Sequence, residues 1–197
     1  MSMRQIDATG KACPIPVIEA KKALSEAVTS GVMIIVDNII AVQNLEKMAG
    51  GFGYGFSYKE EAGTFKAIIQ KDAGTEVPLY DPPPPGRKLV VVLTSDALGD
   101  GSGELGRILM KAFIYSLTEL DAVPSAVIFM NRGAYLTAEG SNATDDLKIL
   151  EGKGTEVLTC GTCSDYYGFS GSPAVGSTID MFGITERMAL ADAIINF

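Results

Sequence analysis

The chain has 197 residues, 47% of them hydrophobic and 20% charged, which is enough to bury one sizeable core or two small ones. Its formal net charge of −8 argues against a nucleic-acid partner, whose binders present a basic face. There are three cysteines and no histidine, which excludes Ser-His-Asp and Cys-His catalysis and does not suit a closed disulfide framework.

In chain order, residues 4–8 alternate as a short strand. Residues 14–29 follow with a helical stripe of Val17, Ala20, Leu24, Ala27 and Val28. A buried strand is expected over 32–36, a second helix over 42–49, and two strands over 52–59 and 64–71 around a turn at 60–63. The order β-α-β-α-β-β predicts a two-layer sandwich. Four consecutive prolines, Pro82 to Pro85, then mark a stiff linker.

Beyond it, residues 88–94 read as a buried strand, followed by a glycine-rich loop. The next helix is expected to bury Leu105, Ile108, Leu109, Ala112, Phe113, Leu117 and Leu120. Strands over 126–130 and 156–159 flank a helix around 145–150, and residues 178–195 are expected to be helical. Strands alternating with helices predict a doubly wound, mostly parallel sheet with flanking helices. The expected division is 1–72, a linker over 73–87, and 88–197. Residues 1–7 hold no apolar signal-peptide core and no apolar run reaches the roughly 20 residues that span a bilayer, so a cytoplasmic protein without a membrane partner is expected.

Cys13 stands at the start of the first helix in Ala12-Cys13-Pro14-Ile15-Pro16. As a helix cap it would face the Ile15 amide, because Pro14 and Pro16 carry no N–H. The helix dipole and the nearby Lys11 would add to this, lowering the thiol from its free value of about 8.5. A buried structural cysteine is the plainer alternative.

The other two cysteines form Cys160-Gly161-Thr162-Cys163 at the end of a strand, where parallel sheets collect their functional groups. Zinc needs about four ligands, so one pair without histidine does not suggest a metal site. In the loop that holds Gly99, the residues Gly101, Gly103 and Gly106 match G-x-G-x-x-G. Asp96, Asp100 and Glu104 set negative charge where a pyrophosphate would sit, so an anion- or thiol-binding turn fits better than a dinucleotide site. Ser95-Asp96, Asn131-Arg132 and the cysteine pair are expected to share one pocket, with Arg132 favouring a thiolate or anionic substrate there.

The segment Asp7-Ala8-Thr9-Gly10-Lys11-Ala12-Cys13-Pro14-Ile15-Pro16 resembles the D-x-x-G-x-x-C-P-x-P signature of the TusA/SirA-like sulfur carriers over roughly residues 3–72. The resemblance implies a persulfide carried on Cys13, supported by Asp7, Gly10, Lys11, Pro14, Ile15 and Pro16. Thr94-Ser95-Asp96, Leu105-Gly106, Phe129-Met130-Asn131 and the C-x-x-C resemble a DsrE/DsrF-like domain. The two together resemble the YedF family, which implies a sulfurtransferase-like role linked to selenium metabolism. It also implies a homo-oligomer built through the second domain.

The expected function is a sulfur or selenium carrier. Cys13 accepts the chalcogen and Cys160 or Cys163 attacks, accepts or resolves it. Donor and acceptor proteins are the expected partners, and no cofactor is expected. The alternatives are a non-enzymatic adaptor for sulfur- or selenium-handling proteins, and a dithiol oxidoreductase centred on Cys160 and Cys163.

Overall fold

The computed structural model describes residues 2–26, 29–71, 86–168 and 173–197. The chain divides into two compact units, Met1–Asp81 and Pro82–Phe197. Most of the expected linker lies outside the described residues.

In the first unit the elements run β1 (Ser2–Asp7), α1 (Ile15–Ser25), β2 (Thr29–Val36), α2 (Ile39–Gly51), β3 (Gly55–Glu61) and β4 (Thr64–Gln70). The sheet order is β1-β2-β4-β3, with β1 parallel to β2 and the remaining pairs antiparallel. Alternation in β2 sends Val32, Ile34 and Val36 inward, where they meet Ala67 and Ile69 of β4. Ala20 and Leu24 of α1 and Val42 and Leu45 of α2 close this core. The hairpin turn falls at Ala62 and Gly63, both with positive φ (51° and 79°), as a tight two-residue turn requires.

The second unit runs β5 (Leu89–Leu93), α3 (Gly103–Thr118), β6 (Ala126–Phe129), a 3₁₀ helix (Asn131–Thr137), α4 (Thr144–Gly152), β7 (Glu156–Cys160), α5 (Gly161–Tyr166), β8 (Ser177–Ile179), α6 (Met181–Ala189) and β9 (Ala193–Asn196). The sheet, in order β8-β7-β6-β5-β9, is parallel throughout, not just mostly. Val91, Leu93, Val127, Phe129 and Val157 meet α3 and α4 in one core. Their strand neighbours Val90, Val92, Ile128, Leu158 and Cys160 meet Ile184 of α6 in another.

Two expectations fail here. The tail over 178–195 is not one helix. Asp180 caps α6 by accepting a hydrogen bond from the Gly183 amide, and the flanking segments form β8 and β9. A run as short as Ala193–Asn196 carries no periodicity that separates strand from helix.

The stripe assigned to α3 is also rotated. Its core side is Gly106, Met110, Ile114 and Leu117, while Leu105, Ile108 and Leu109 are exposed. Gly106 explains the rotation: a Cβ there would lie 3.0 Å from the Ala97 side chain and 3.2 Å from the Leu98 carbonyl, so the helix meets its own approach loop through a glycine.

Candidate functional site

The Cys13 centre is built by the turn between β1 and α1. Asp7 accepts hydrogen bonds from the amide and hydroxyl of Thr9 (3.0 and 2.8 Å), and Asp37 accepts the Gly10 amide at 2.6 Å. These bonds hold both carboxyls below their ordinary range, Asp7 chiefly through the Thr9 amide and Asp37 chiefly through the Gly10 amide. Gly10 adopts φ +72°, which a side chain rarely tolerates. The turn therefore delivers residues 11–14 to the helix start by fixed bonds and not by packing alone.

Cys13 is exposed and free. It is not the helix cap. Pro14 takes that position, with Val17 and Ile18 donating to its carbonyl. The Ile15 amide, expected to face the thiol, donates instead to the Ala12 carbonyl at 3.0 Å. The residue before a proline is driven out of the helical region, and this helix starts one step later. The Cys13–Pro14 peptide is cis.

The Lys11 ammonium bonds to Glu19 of α1 at 2.6 Å. What reaches the sulfur is Asn44 of α2, whose side-chain N–H₂ donates to Cys13 Sγ at 3.8 Å. Asn44 carried no signal in sequence, since a polar residue on a surface helix is ordinary. Its role follows from how α2 is laid down. Asn38 caps that helix by accepting the Ala41 amide at 2.8 Å.

The second centre lies at the carboxyl ends of β5, β6 and β7. Cys160 is the last residue of β7 and 2% exposed, while Cys163 sits in α5, half-buried. The pair is thus a strand end and a helical turn, not a loop. Cys163 Sγ accepts the Asn131 amide at 3.0 Å. Burial is the main influence pushing the Cys163 thiol up, the Cys160 thiol adds to it, and the Asn131 amide works against both.

Asn131 is held with φ +46°, and its side-chain carbonyl accepts the Tyr167 hydroxyl at 2.5 Å. The Tyr167 ring packs at a tilt of 49° against that of Tyr135, ring centroids 5.0 Å apart. Gly133 makes the close approach of the 3₁₀ helix to β5 possible, because a Cβ there would lie 2.0 Å from the Leu93 carbonyl. Tyr167 and Tyr135 escaped sequence reasoning, which weighed glycine motifs and charges and not aromatic neighbours.

Arg132 is engaged by a carboxylate on the neighbouring strand end. Its guanidinium forks onto Asp96 (2.8 and 3.1 Å) and holds that carboxyl below its ordinary value. The glycine loop spends several amides on itself: Ala97 donates to Ser95 Oγ, Leu98 to the Gly106 carbonyl and Gly106 to the Ser102 carbonyl. Of its glycines only Gly99 needs positive φ (+82°), and Gly101 and Gly103 would each accept a Cβ without a clash. The structure therefore brings Asp96 to Arg132 and Asn131 to Cys163, and uses Ser95 and Gly99 to shape the loop.

Comparison with known proteins bears on the first unit. The family model described as Sulfurtransferase TusA matches residues 4–71. A protein of Methanocaldococcus jannaschii named "Putative sulfur carrier protein" is 34% identical over 73 residues, 36% of this chain and 97% of that one. The chain belongs to the TusA family.

Among solved structures, a SirA-like protein of Desulfitobacterium hafniense is 47% identical, covering 35% of this chain and 96% of that one with a TM-score of 0.33. The ychN protein of Escherichia coli is 22% identical, covering 56% of this chain and 99% of that one with a TM-score of 0.44. The matched stretch includes the turn described above and Cys13. Among the described residues no helix is long and apolar enough to cross a membrane.

Proposed function

We propose that the protein carries sulfur, or selenium, as a persulfide or perselenide on Cys13 and relays it to the cysteine pair of its second unit. The observation that carries this reading is the exposed thiol of Cys13 in a TusA-family unit, set on a bonded turn with one amide donor on its sulfur. Loading joins the Cys13 thiolate to the sulfane sulfur of a donor persulfide or polysulfide, and the donor leaves as its thiolate or as hydrosulfide. No net oxidation occurs.

In the relay, a thiolate of the pair attacks the same sulfane sulfur and Cys13 leaves as a thiolate. The first unit is read as a two-layer sandwich and the second as a doubly wound, DsrE/DsrF-like domain, the YedF arrangement. Support for the second reading is the parallel sheet with Cys160 at a strand end and Asp96, Asn131 and Arg132 on the neighbouring strand ends. A cytoplasmic homo-oligomer exchanging sulfur with donor and acceptor proteins completes the reading.

The test is incubation of the full chain with a persulfide donor followed by mass analysis. A sulfur adduct on Cys13 that vanishes on reduction is expected. An adduct retained on the first unit of a Cys13→Ser variant would remove Cys13 from its role.

A further inference from the structure

We infer that Cys163 is the thiol of the second unit that takes the incoming sulfur, with the Asn131 backbone N–H as its positioning group, and that Cys160 is the resolving thiol that releases the sulfur as hydrosulfide. The inference rests on the relay reading above and assigns the two roles within it.

Three observations separate the cysteines. The first is access: Cys160 is 2% exposed and lies in the core with Val90, Val92, Ile128, Leu158 and Ile184, whereas Cys163 reaches the surface. Exchange requires the attacking sulfur to approach the donor in line, so a thiol enclosed by strands cannot begin it.

The second is the donor. The Asn131 amide points at Cys163 Sγ from 3.0 Å, a fixed dipole that supports negative charge on that sulfur before and after it gains a second one. Cys160, the N-cap of α5, receives no such bond from the amides of the helix it begins. The third is the effort spent on placing that amide. Asn131 holds a left-handed backbone, locked by the Tyr167 hydroxyl, while Gly133 lets the following turn press against the end of β5. Strain kept at a residue whose amide meets a thiol is strain kept in use.

The chemistry balances in two steps. The Cys163 thiolate attacks the sulfane sulfur of a persulfide or polysulfide, forming a Cys163–S–S⁻ persulfide and expelling the donor thiolate. The Cys160 thiol, at the end of the strand that runs straight into the helix carrying Cys163, then loses its proton and attacks Cys163 Sγ. The S–S bond of the persulfide breaks, hydrosulfide leaves, and a Cys160–Cys163 disulfide forms. The two thiols give up two electrons and the sulfane sulfur takes them.

The test uses the full chain and inorganic polysulfide in a single turnover, capped with iodoacetamide, digested with trypsin and read on the peptide 154–187. With Cys160→Ser, one extra sulfur is expected on Cys163, and it should persist there at least about ten times longer than in the wild-type chain because the resolving step is gone. With Cys163→Ser, no extra sulfur is expected on Cys160. Extra sulfur on Cys160 of the Cys163→Ser variant, or none on Cys163 of the Cys160→Ser variant, overturns the inference.

Because Cys160 is a core residue, the wild-type chain supplies a second measurement. At limiting iodoacetamide Cys163 should be labelled at least about ten times faster than Cys160, and equal labelling overturns the assignment. The peptide 12–21, which holds Cys13, is read in the same digest. If it takes no sulfur while Cys163 does, the carrier reading fails and this inference stands.

Discussion

The side-chain amide of Asn44 donates to the sulfur of Cys13 across 3.8 Å, joining α2 to the start of α1. An amide donor supports an anionic sulfur without a proton to lose, so its contact should persist over the whole working pH range.

Asn44→Ala should therefore shorten the lifetime of sulfur on Cys13 by about fivefold, the worth of one hydrogen bond of roughly 1 kcal/mol. Asn44→Asp keeps the shape but sets a carboxylate against an anionic sulfur, and should cost more than the alanine. Lifetimes read by mass on the peptide 12–21 decide it. Equal lifetimes in all three chains would leave Asn44 only a structural contact.

Cys13 is exposed, so replacing it by serine should shift stability by no more than about 0.5 kcal/mol. Sulfur loading of the first unit should disappear at the same time. Denaturant titration and adduct mass, measured together, separate loss of chemistry from loss of fold.

The turn that carries Cys13 should loosen in acid. Asp37 is held below its ordinary value by the Gly10 amide, so its contribution is fully present above the unfolded carboxyl value and is lost as pH falls through the lower folded one. The Gly10 amide resonance should titrate with a midpoint below about pH 3.9, the ordinary aspartate value. In Asp37→Asn that titration should be absent. A Gly10 resonance that ignores pH in the wild type contradicts the assignment.

Gly133→Ala places a Cβ 2.0 Å from the Leu93 carbonyl, a backbone atom that cannot step aside. A loss of about 3 kcal/mol is expected in the second unit, in the range of severe backbone or packing conflicts. The same change should displace Asn131 and so alter the alkylation rate of Cys163. Gly101→Ala, in open space, is the control and should be close to neutral.

Much of this was legible because it depends on local chemistry. The expected turn at 60–63 is local, and the hairpin closes within it at Ala62 and Gly63; Val32 to Val36 likewise reads as a buried strand without help from distant residues. The resemblance of Asp7 to Pro16 to the TusA signature falls within the stretch that the family model matches.

The misreadings are tertiary. Leucine and isoleucine at 105, 108 and 109 read as core, but the small Gly106 had the inward place because the loop at Ala97 and Leu98 lies against it. The pairing of Arg132 with Asp96 on the adjacent strand end, which takes two arms of its guanidinium, is likewise a contact between distant residues. Cys13 read as a cap, but Pro14 moved the helix start by one residue.

β9 lies beside β5, and the Phe197 carbonyl accepts both the amide and the hydroxyl of Thr94 at 2.7 Å. The two partners are 103 residues apart in sequence. A strand made at the start of this unit thus waits for one of its neighbours until nearly the whole unit has been synthesised. Closing so long a loop is slow, and while it stays open one edge of β5 is free to pair elsewhere. The second unit should accordingly be the slower of the two to mature on the ribosome, and the one most dependent on shielding while it does.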